Sequence, residues 1–411
     1  MMRQVARRLA SRSLSVRSMR FFSADAELRP ALTHFSEEED VIREAAAAFS
    51  EEIIRPDVVQ MDEESAMTPA VLQALYDNGF MGIEIPEEYG GAGMSFTQSL
   101  VIIEEISKVD PAVAVLVDIQ NTLVNALLMR FGTDAQKENF LPKLAAEFAG
   151  SFCLTEATSG SDAFAMKTRA VKEGDDWILN GGKMWISNSS EAGLFIVFAQ
   201  TDPSKGHKGI TAFLVERENP GLTIAKKEDK MGIRASSTRE IVFEDCRVTP
   251  DMVLGEVGQG GKLAISLLNE GRIGIAAQMV GLAQGAFNAA MPYVHERKQF
   301  GQPVADFQGM QFQFAEVATQ IEAARLLVYN AARLKEAGKP CIKEAAMAKL
   351  YASRVAEKAA SMGIEWMGGV GFTREFPNEK FYRDAKIGAI YEGTSNMMLQ
   401  TIAKQIAKEY K

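Results

Sequence analysis

A central stretch, residues 150–254, most constrains the fold because its periodicity differs from that of the sequence on either side. Its apolar runs have the length of strands and are bounded by turn residues, as in 194–199 and 210–215. Two more runs flank Asn180-Gly181-Gly182, and this tripeptide predicts a hairpin turn because Asn and Gly tolerate positive φ. Outside the stretch, apolar residues recur at helical spacing, including a long helix over about 307–336. The pattern predicts an α+β protein with a middle antiparallel β domain between helical regions.

Helix-capping residues indicate where the first helices begin and end. Ser36 and Glu39 have the spacing of a capping box, and Pro56 predicts the end of that helix. Thr68 predicts the cap of a second helix, which Gly79 closes. The first helix is predicted to bury a face made of Val41, Ala45, Phe49 and Ile53.

The first 24 residues have a composition of their own. They contain six arginines and several serines, and the first acidic residue is Asp25. Wound as a helix, Val5, Leu9 and Val16 oppose an arginine-rich face, which is typical of a mitochondrial transit peptide, with a cleavage point near 20–23. The alternative is a disordered basic tail. We expect no apolar run to approach the roughly 18 residues of a membrane span, and we therefore expect the mature protein to be a soluble mitochondrial matrix protein.

Four segments follow from these changes in pattern. We expect a transit peptide in 1–24, a helical N-terminal domain in 25–149, a β domain in 150–254 and a C-terminal helical bundle domain in 255–411. A net charge of −9 argues against a general nucleic-acid binder. The spacing of the cysteines and histidines predicts neither a disulfide framework nor a metal site, and buried thiols are expected. These residues are Cys153, Cys246, Cys341, His34, His207 and His295.

Glycine-rich runs are the first candidates for phosphate contacts. Residues 258–261 and 368–371 contain such runs, but neither has the spacing of a dinucleotide-binding or P-loop motif. A Rossmann or P-loop interpretation therefore fails, and each run alone predicts a turn or linker.

Glu392 is the candidate catalytic residue. It lies between an apolar run, 387–390, and Gly393, so its carboxylate is expected to be poorly solvated and more basic than usual. Removing a proton next to a thioester carbonyl requires such a base and hydrogen-bond donors for the developing enolate. Thr394 is placed to cap a following helix. The alternative is a solvated glutamate at a surface helix cap.

Residues 383–387, followed by 391–395, resemble the C-terminal signature of the acyl-CoA dehydrogenases. Further segments are similar to that family in the same order: 154–156 with 160–162, 182–187, 297–301 and 367–371. The resemblance covers essentially everything after the first 24 residues. It implies a C-terminal four-helix bundle, FAD as cofactor, an acyl-CoA substrate, a homotetramer and electron-transferring flavoprotein as the electron acceptor.

The resemblance also implies which residues form the site. Glu392 would remove the α-proton while the β-hydrogen leaves as hydride to the flavin, and the Glu392 backbone N–H would help to hold the thioester oxygen. The residues implied to bind the cofactor are Phe152, Leu154, Thr155, Gly160, Ser161, Trp185, Ile186, Ser187, Arg297, Gln308, Glu365, Trp366, Met367, Gly368, Gly369, Thr394, Ser395 and Asn396. Those implied to contact the acyl-CoA are Ser161, Asn269, Glu270, Gly271, Arg272 and Gly393.

Within the family, residues 119–123, 268–278 and 365–369 are most similar to the short/branched-chain members, which act on 2-methylbutyryl-CoA and similar thioesters. A minority branch, including the isovaleryl enzymes, carries its base where this chain has Gly271, which supports Glu392 as the base here. Departures from the family pattern leave the acyl preference open, and they are Thr158, Ser159, His207, Gly261, Met397 and Met398.

Two other activities are compatible with this resemblance. The same site can run in reverse as an enoyl-CoA reductase, or it can pass electrons to O₂ as an oxidase. A non-catalytic assembly protein on the same scaffold is a third alternative, against which the retained Glu392 argues.

Overall fold

The computed structural model describes residues 32–410, and the residues from Phe35 onward belong to one compact unit. The predicted transit peptide, 1–24, lies outside the described residues. Within residues 32–410, seven α-helices precede the sheet: α1 Glu37–Phe49, α2 Val58–Glu64, α3 Pro69–Asp77, α4 Phe96–Ser107, α5 Pro111–Asp118, α6 Ala126–Phe131 and α7 Asp134–Ala146.

The first helices begin where the capping residues predict. Ser36 accepts from the Glu39 backbone N–H and Glu39 accepts in return, as in a capping box, and Thr68 caps α3. The predicted end at Pro56 is wrong. The helical path continues through a π-helical turn, Ser50–Ile54, and a 3₁₀ turn, Arg55–Asp57, into α2. Pro56 does not interrupt this path because it lies in the first turn of a new helical segment, where a backbone N–H would have no helical partner.

The π-helical turn also changes which side chains of the first helix are buried. Ala46, Phe49 and Ile54 are buried, whereas Val41 and Ile53 of the predicted face are 65% and 40% exposed.

A second π-helical segment, Ile119–Asn125, joins α5 to α6 into one helix of 21 residues, Pro111–Phe131. Its most apolar stretch of 18 residues has a mean hydropathy of 1.6, so the prediction that no apolar run approaches the length of a membrane span is wrong. Of the residues in that apolar stretch, 94% are buried inside the fold, which is the pattern of a core helix. The buried amides of Asn121 and Asn125 bond backbone groups of residues 80–83 and fix the helix to that loop.

The central strands form one eight-stranded, mostly antiparallel sheet with the order β6-β7-β3-β2-β4-β5-β8, and β1 pairs in parallel with β4. Two of the three thiols, Cys153 and Cys246, are buried in the core of this sheet, and Cys341 is also buried and free. The strands are β1 Ala149–Cys153, β2 Arg169–Glu173, β3 Asp176–Ser187, β4 Ala192–Gln200, β5 Ile210–Glu216, β6 Leu222–Lys227, β7 Thr238–Val248 and β8 Val253–Leu254.

The predicted hairpin at Asn180-Gly181-Gly182 is wrong, because all three residues lie inside β3. The Asn180 side chain exchanges two hydrogen bonds with Asp245, which has φ +46° where the pairing of β3 with β7 shifts register. A β-carbon at Gly181 would lie 2.7 Å from the Cα of Thr168. The tripeptide therefore accommodates a bulge and a close backbone approach, for which glycine is also selected in strands.

The helices after the sheet form the C-terminal bundle. The long helices α8, α9 and α10 pack on one another, and α12 packs on α10. A short hairpin, β9 Lys298–Gln299 with β10 Gln302–Pro303, separates α8 from α9. The helices are α8 Gly260–Glu296, α9 Gln308–Glu336, α10 Ile342–Met367, α11 Asn378–Ala385 and α12 Ser395–Glu409, and α9 confirms the predicted long helix. The predicted order of helices, sheet and helical bundle is confirmed.

Candidate active site

The Glu392 carboxylate lies against a glycine of α8. A β-carbon placed on Gly271 would be 2.7 Å from Glu392 Oε2 and 3.2 Å from Leu123 Cδ2. Glu392 has φ +49° and Gly393 has φ +93°, so two consecutive residues adopt the left-handed conformation. Such backbone strain at a non-glycine residue is common at functional sites. The turn aims the carboxylate from the bundle at the face of α8 that carries Gly271.

The charges around Glu392 act against each other. Burial raises the pKa of the Glu392 carboxyl, and the positive charges of Arg272 and Lys349 oppose that rise. Arg272 donates from Nη1 to Asn269 Oδ1 at 3.2 Å, while its buried Nε has no hydrogen-bond partner among residues 32–410. An oxygen-rich ligand would satisfy such an unpaired donor, and a carboxylate of raised pKa beside it marks a candidate site.

A second carboxylate, that of Asp118 on α5, faces α8 one helical turn after Gly271. Asp118 Oδ1 would be 1.8 Å from a β-carbon on Gly274, and Oδ1 also accepts from the Thr122 hydroxyl at 3.1 Å. Burial, followed by the charge of Glu392, raises the pKa of Asp118 well above its ordinary value. Two glycines three residues apart thus let two carboxylates approach the same face of one helix.

Hydrogen bonds connect Tyr391, the residue before Glu392, to the N-terminal helices. The Tyr391 hydroxyl donates to Gln278 Oε1, and Gln278 Nε2 donates to the Pro111 carbonyl at 2.6 Å. The start of α5 is thereby linked through α8 to the Glu392 turn.

The residues that follow Glu392 and Gly393 begin α12. The Thr394 hydroxyl accepts from the Met397 N–H at 3.3 Å, which confirms the predicted cap. Ser395 and Asn396 occupy the first turn, where free backbone N–H groups and the positive end of the helix dipole favour an anion or a hydrogen-bond acceptor.

The sheet presents the residues predicted to line a flavin. Phe152 is half-buried on β1, and Ser151 Oγ donates to the Ser187 carbonyl at 2.8 Å to join β1 to β3. Trp185 is 56% exposed, has φ +63° and lies where the pairing of β3 with β7 shifts register. An exposed indole on a bulge is available to pack on a flat ring, whereas Ile186 beside it is buried in the sheet core.

A buried ion pair supports this surface. Lys183 Nζ lies 2.7 Å from Glu156 Oε1 and donates to the Leu154 carbonyl at 3.1 Å, and both side chains are buried. Burial acts against ionisation of Glu156, but the charge of Lys183 and backbone N–H donors hold the pKa of that carboxyl below its ordinary value. The Thr155 carbonyl accepts from Met184 N at 2.9 Å, which places the 154–156 segment beside Trp185.

The loop after Glu156 contains the predicted residues Gly160 and Ser161, and both are exposed. Glu156 and Ser159 pair through their backbones, and Ser159 Oγ donates to the Asp162 carbonyl. Thr158 is exposed at the tip, so this departure from the family pattern is accommodated within a closed turn.

The remaining predicted cofactor residues lie at or near the ends of three bundle helices. Arg297 follows α8, Gln308 begins α9 and Glu365 lies near the end of α10; all three are exposed, as are Gly368 and Gly369. Trp366 and Met367 are buried. Trp366 Nε1 donates to Gln313, so its side chain supports the helix end from within the bundle.

The other departures have local explanations. A β-carbon at Gly261 would be 2.5 Å from the His207 carbonyl oxygen, so the two unusual residues pack against each other and residue 261 has no space for a side chain. Met398 is fully buried and packs beneath Gly393, while the adjacent Met397 is partly buried beside it.

Glu270 was predicted to contact substrate, but the structure turns it away from Glu392. Its carboxylate pairs with Arg130 at 2.5 Å and lies 3.6 Å from Lys335. Conversely, sequence reasoning missed Lys349 and Asp118. Both are single charged residues within otherwise apolar helical stretches, and that contrast was the signal available in the sequence.

Three family models match the described part of the chain. They are the acyl-CoA dehydrogenase N-terminal domain over residues 36–147, the middle domain over 151–246 and the C-terminal domain over 258–407. The chain therefore belongs to the acyl-CoA dehydrogenase family and is an oxidoreductase of that class.

Curated relatives identify a subgroup. The chain is 57% identical over 399 residues to a probable short/branched chain specific acyl-CoA dehydrogenase of Dictyostelium discoideum, covering 97% of each chain. It is also 57% identical over 379 residues to the mitochondrial short/branched chain specific enzyme of Rattus norvegicus, covering 92% of this chain and 88% of that one.

Solved structures share the fold. Butyryl-CoA dehydrogenase of Megasphaera elsdenii matches with a TM-score of 0.89 and 40% identity, over 91% of this chain and 99% of that one. A glutaryl-CoA dehydrogenase of Mycobacterium smegmatis in complex with FADH2 matches with a TM-score of 0.86 and 30% identity, over 91% and 95%. A chain from a structure of the electron transferring flavoprotein of Acidaminococcus fermentans matches with a TM-score of 0.89 and 42% identity, over 91% and 99%.

Proposed function

We propose that this protein oxidises short or short branched-chain acyl-CoA to 2-enoyl-CoA with FAD, and that Glu392 is the base. The observation that carries the proposal is the position of the Glu392 carboxylate, which lies against Gly271 with its pKa raised by burial. A base of raised pKa is suited to accept the weakly acidic α-proton of a thioester. The 57% identity to short/branched chain enzymes supports the acyl class.

Each group at the site has a part in this reaction. Glu392 takes the α-proton, and its backbone N–H is proposed to donate to the thioester oxygen, where it would stabilise the developing enolate. Arg272, whose buried Nε has no partner in the part of the chain that the structure describes, and Asn269 are proposed to contact the acyl-CoA with Gly393 and Ser161. The β-hydrogen leaves with its electron pair, and FAD supplies the acceptor for that hydride.

The residues present fit FAD. Trp185 offers an exposed indole on a bulge, Thr155 and Ser161 offer hydroxyls on the segment that follows β1, and the start of α12 offers backbone N–H groups. We propose that Arg297 and Gln308 hold the pyrophosphate and adenosine end, because an arginine fork suits phosphate oxygens. Glu365, Gly368 and Gly369 are proposed to contact the same end.

The proposal extends to the partners and the location of the protein. We propose that electron-transferring flavoprotein reoxidises the cofactor, that the protein is a homotetramer, and that residues 1–24 direct it to the mitochondrial matrix; the mitochondrial name of the rat relative supports the location. We also propose domain boundaries near residues 149 and 254, where the helices give way to the sheet and the sheet to the bundle.

An anaerobic titration of the purified holoenzyme tests the proposal. 2-Methylbutyryl-CoA, butyryl-CoA and isovaleryl-CoA are added in turn while the visible flavin band is recorded. We expect 2-methylbutyryl-CoA to bleach the band fastest. A bound flavin that no short thioester bleaches, but that a 2-enoyl-CoA reoxidises after chemical reduction, would replace the proposal with the reductase direction. A protein without flavin would contradict it outright.

A further inference from the structure

Lys349 is a buried cation to which the proposed reaction assigns no part. It lies on α10 with none of its surface exposed. Its Nζ donates to the carbonyl of Gly393 at 2.6 Å. Among residues 32–410, no carboxylate lies within 4.0 Å of this ammonium. A buried lysine without a paired carboxylate is costly, so a function at this position is the natural explanation.

The Gly393 carbonyl belongs to the turn that carries Glu392. Both residues of that turn are left-handed, and the next residue, Thr394, already caps α12. The ammonium of Lys349 therefore holds, from α10, a strained backbone segment that aims a side chain at α8. No other side-chain donor bonds that carbonyl within the described part of the chain.

The charges that face Glu392 come from three helices. Arg272 approaches from α8 and Lys349 from α10, and both favour the ionised carboxylate. Asp118, on α5, is buried near the same face of α8, and the hydroxyl of Tyr391 is held by Gln278. Lys349 is the one of the two cations that also bonds the turn itself.

We propose that Lys349 is a positioning residue for the Glu392 base: it holds the Glu392–Gly393 turn through the Gly393 carbonyl, and its charge favours the ionised carboxylate that accepts the substrate proton. This inference rests on the proposed function. Burial lowers the pKa of Lys349 to about 8, and the charge of Glu392 acts against that fall. Removing the cation leaves the burial of Glu392 less opposed, so the pKa of Glu392 rises and less of it is ionised at a given pH.

The test measures how the rate of flavin bleaching by acyl-CoA depends on pH, in rapid-mixing experiments on holoenzyme. Lys349→Met removes the charge and the hydrogen bond, whereas Lys349→Gln removes the charge and keeps a donor. We expect the acidic limb of the pH–rate profile to shift to higher pH by about one unit in both variants. At pH values on that limb, the rate of flavin bleaching should therefore be about tenfold lower than in the wild type. The plateau rate should be higher in Lys349→Gln than in Lys349→Met, because only the amide can still bond Gly393.

The matched control is Lys358→Met, which removes an exposed, ion-paired lysine from the same helix. The inference is overturned if the limb of both Lys349 variants coincides with that of the wild type, or if Lys358→Met moves the limb equally. A merely structural lysine would lower flavin content and thermal stability and leave the limb in place.

A thermal unfolding cycle tests the same coupling without activity. The wild type, Lys349→Met, Glu392→Gln and the double variant are compared as FAD-saturated proteins at pH 7.5. We expect Lys349→Met to lower Tm in the wild type, because Glu392 loses its neighbouring cation. The same change should cost less or raise Tm in Glu392→Gln, because the buried charge then has no anion near it. Additive effects would overturn the inference. A wild type that binds FAD but is not bleached would refute the proposed function, and the cycle would still decide whether Lys349 and Glu392 are coupled.

Discussion

The carboxylate of Glu392 occupies the space that a side chain at Gly271 would need, with Oε2 2.7 Å from the position of the missing β-carbon. The bundle segment that carries Glu392 and the helix that carries Gly271 are 121 positions apart in sequence, yet they share one site. A glycine at 271 is therefore a steric requirement of placing the base at 392.

Replacing Glu392 by Gln should remove the base and leave its shape. We expect FAD and acyl-CoA binding to persist while the rate of flavin bleaching falls by about 10²–10⁴-fold. Glu138→Gln, an exposed glutamate of α7, is the control and should behave as wild type. Residual bleaching within tenfold of the wild-type rate would rule out Glu392 as the base.

Replacing Gly271 by Ala should displace the Glu392 carboxylate. The added methyl group would overlap Oε2, so the side chain must move by a few tenths of an ångström or more, and the rate should fall about 10²-fold because a small misplacement is costly in catalysis. The flavin content should remain that of the wild type. Asn288→Ala, on an exposed face of the same helix, is the control, and equal rates in the two variants would show that the contact with Glu392 does not matter.

Local sequence signals predicted the helix starts at Ser36 and Thr68, because capping depends on residues within one turn. The same reasoning failed at Asn180–Gly181. A hairpin and a bulge use the same residues, and only the pairing with β7 and the close approach of Thr168 select the bulge. Non-local packing of this kind cannot be inferred from a short sequence window.

The candidate site shows the same division. The raised pKa of the half-buried Glu392 carboxyl was predicted from its apolar neighbours, and the cap at Thr394 was predicted from its position. The approach of Lys349 and Asp118 was not, since each comes from another helix and no local pattern encodes that distance. Glu270 lies two residues before Arg272 in the sequence, but on α8 its side chain points toward Arg130, and the sequence alone does not reveal this direction.

The ion pair between Lys183 and Glu156 yields a prediction about cofactor retention. Lys183→Met leaves Glu156 buried without its partner, and such losses cost about 3–5 kcal/mol. We expect lower Tm and weaker FAD binding, because the Leu154 carbonyl also loses its donor. The double variant Lys183→Met/Glu156→Gln should regain part of the stability. If the double variant is no more stable than Lys183→Met, the unpaired charge is not the cause.

Arg297 should matter for the cofactor and not for the base. Arg297→Ala removes an exposed guanidinium at the end of α8, so FAD should dissociate more readily in dilution or dialysis. When FAD is added in excess, the acidic limb of the pH profile should match that of the wild type. Arg169→Ala, an exposed arginine of β2, is the control. Full flavin occupancy of Arg297→Ala after dialysis would contradict the assignment.

Asp118 should make stability depend on pH. Because its folded-state pKa is raised, the native protein binds a proton that the unfolded chain releases, so the wild type loses stability as pH rises from the ordinary range of aspartic acid through the folded-state pKa. Asp118→Asn keeps an acceptor for Thr122 and cannot ionise, so this loss should be absent. We therefore expect the Tm of Asp118→Asn to exceed that of the wild type by an amount that grows between pH 5 and 8.5.

The gain should be largest at the upper end of that range, because the wild type has by then lost the stability that the raised pKa of Asp118 provides at low pH. Asp175→Asn, at an exposed turn between β2 and β3, should show no such trend. The gain should also shrink in a Glu392→Gln background, because the charge of Glu392 is one of the causes that raise the pKa of Asp118. Parallel unfolding curves for Asp118→Asn and the wild type at every pH would mean that Asp118 keeps the same protonation state in the folded and unfolded chain, and that the two carboxylates facing α8, Asp118 and Glu392, are not coupled.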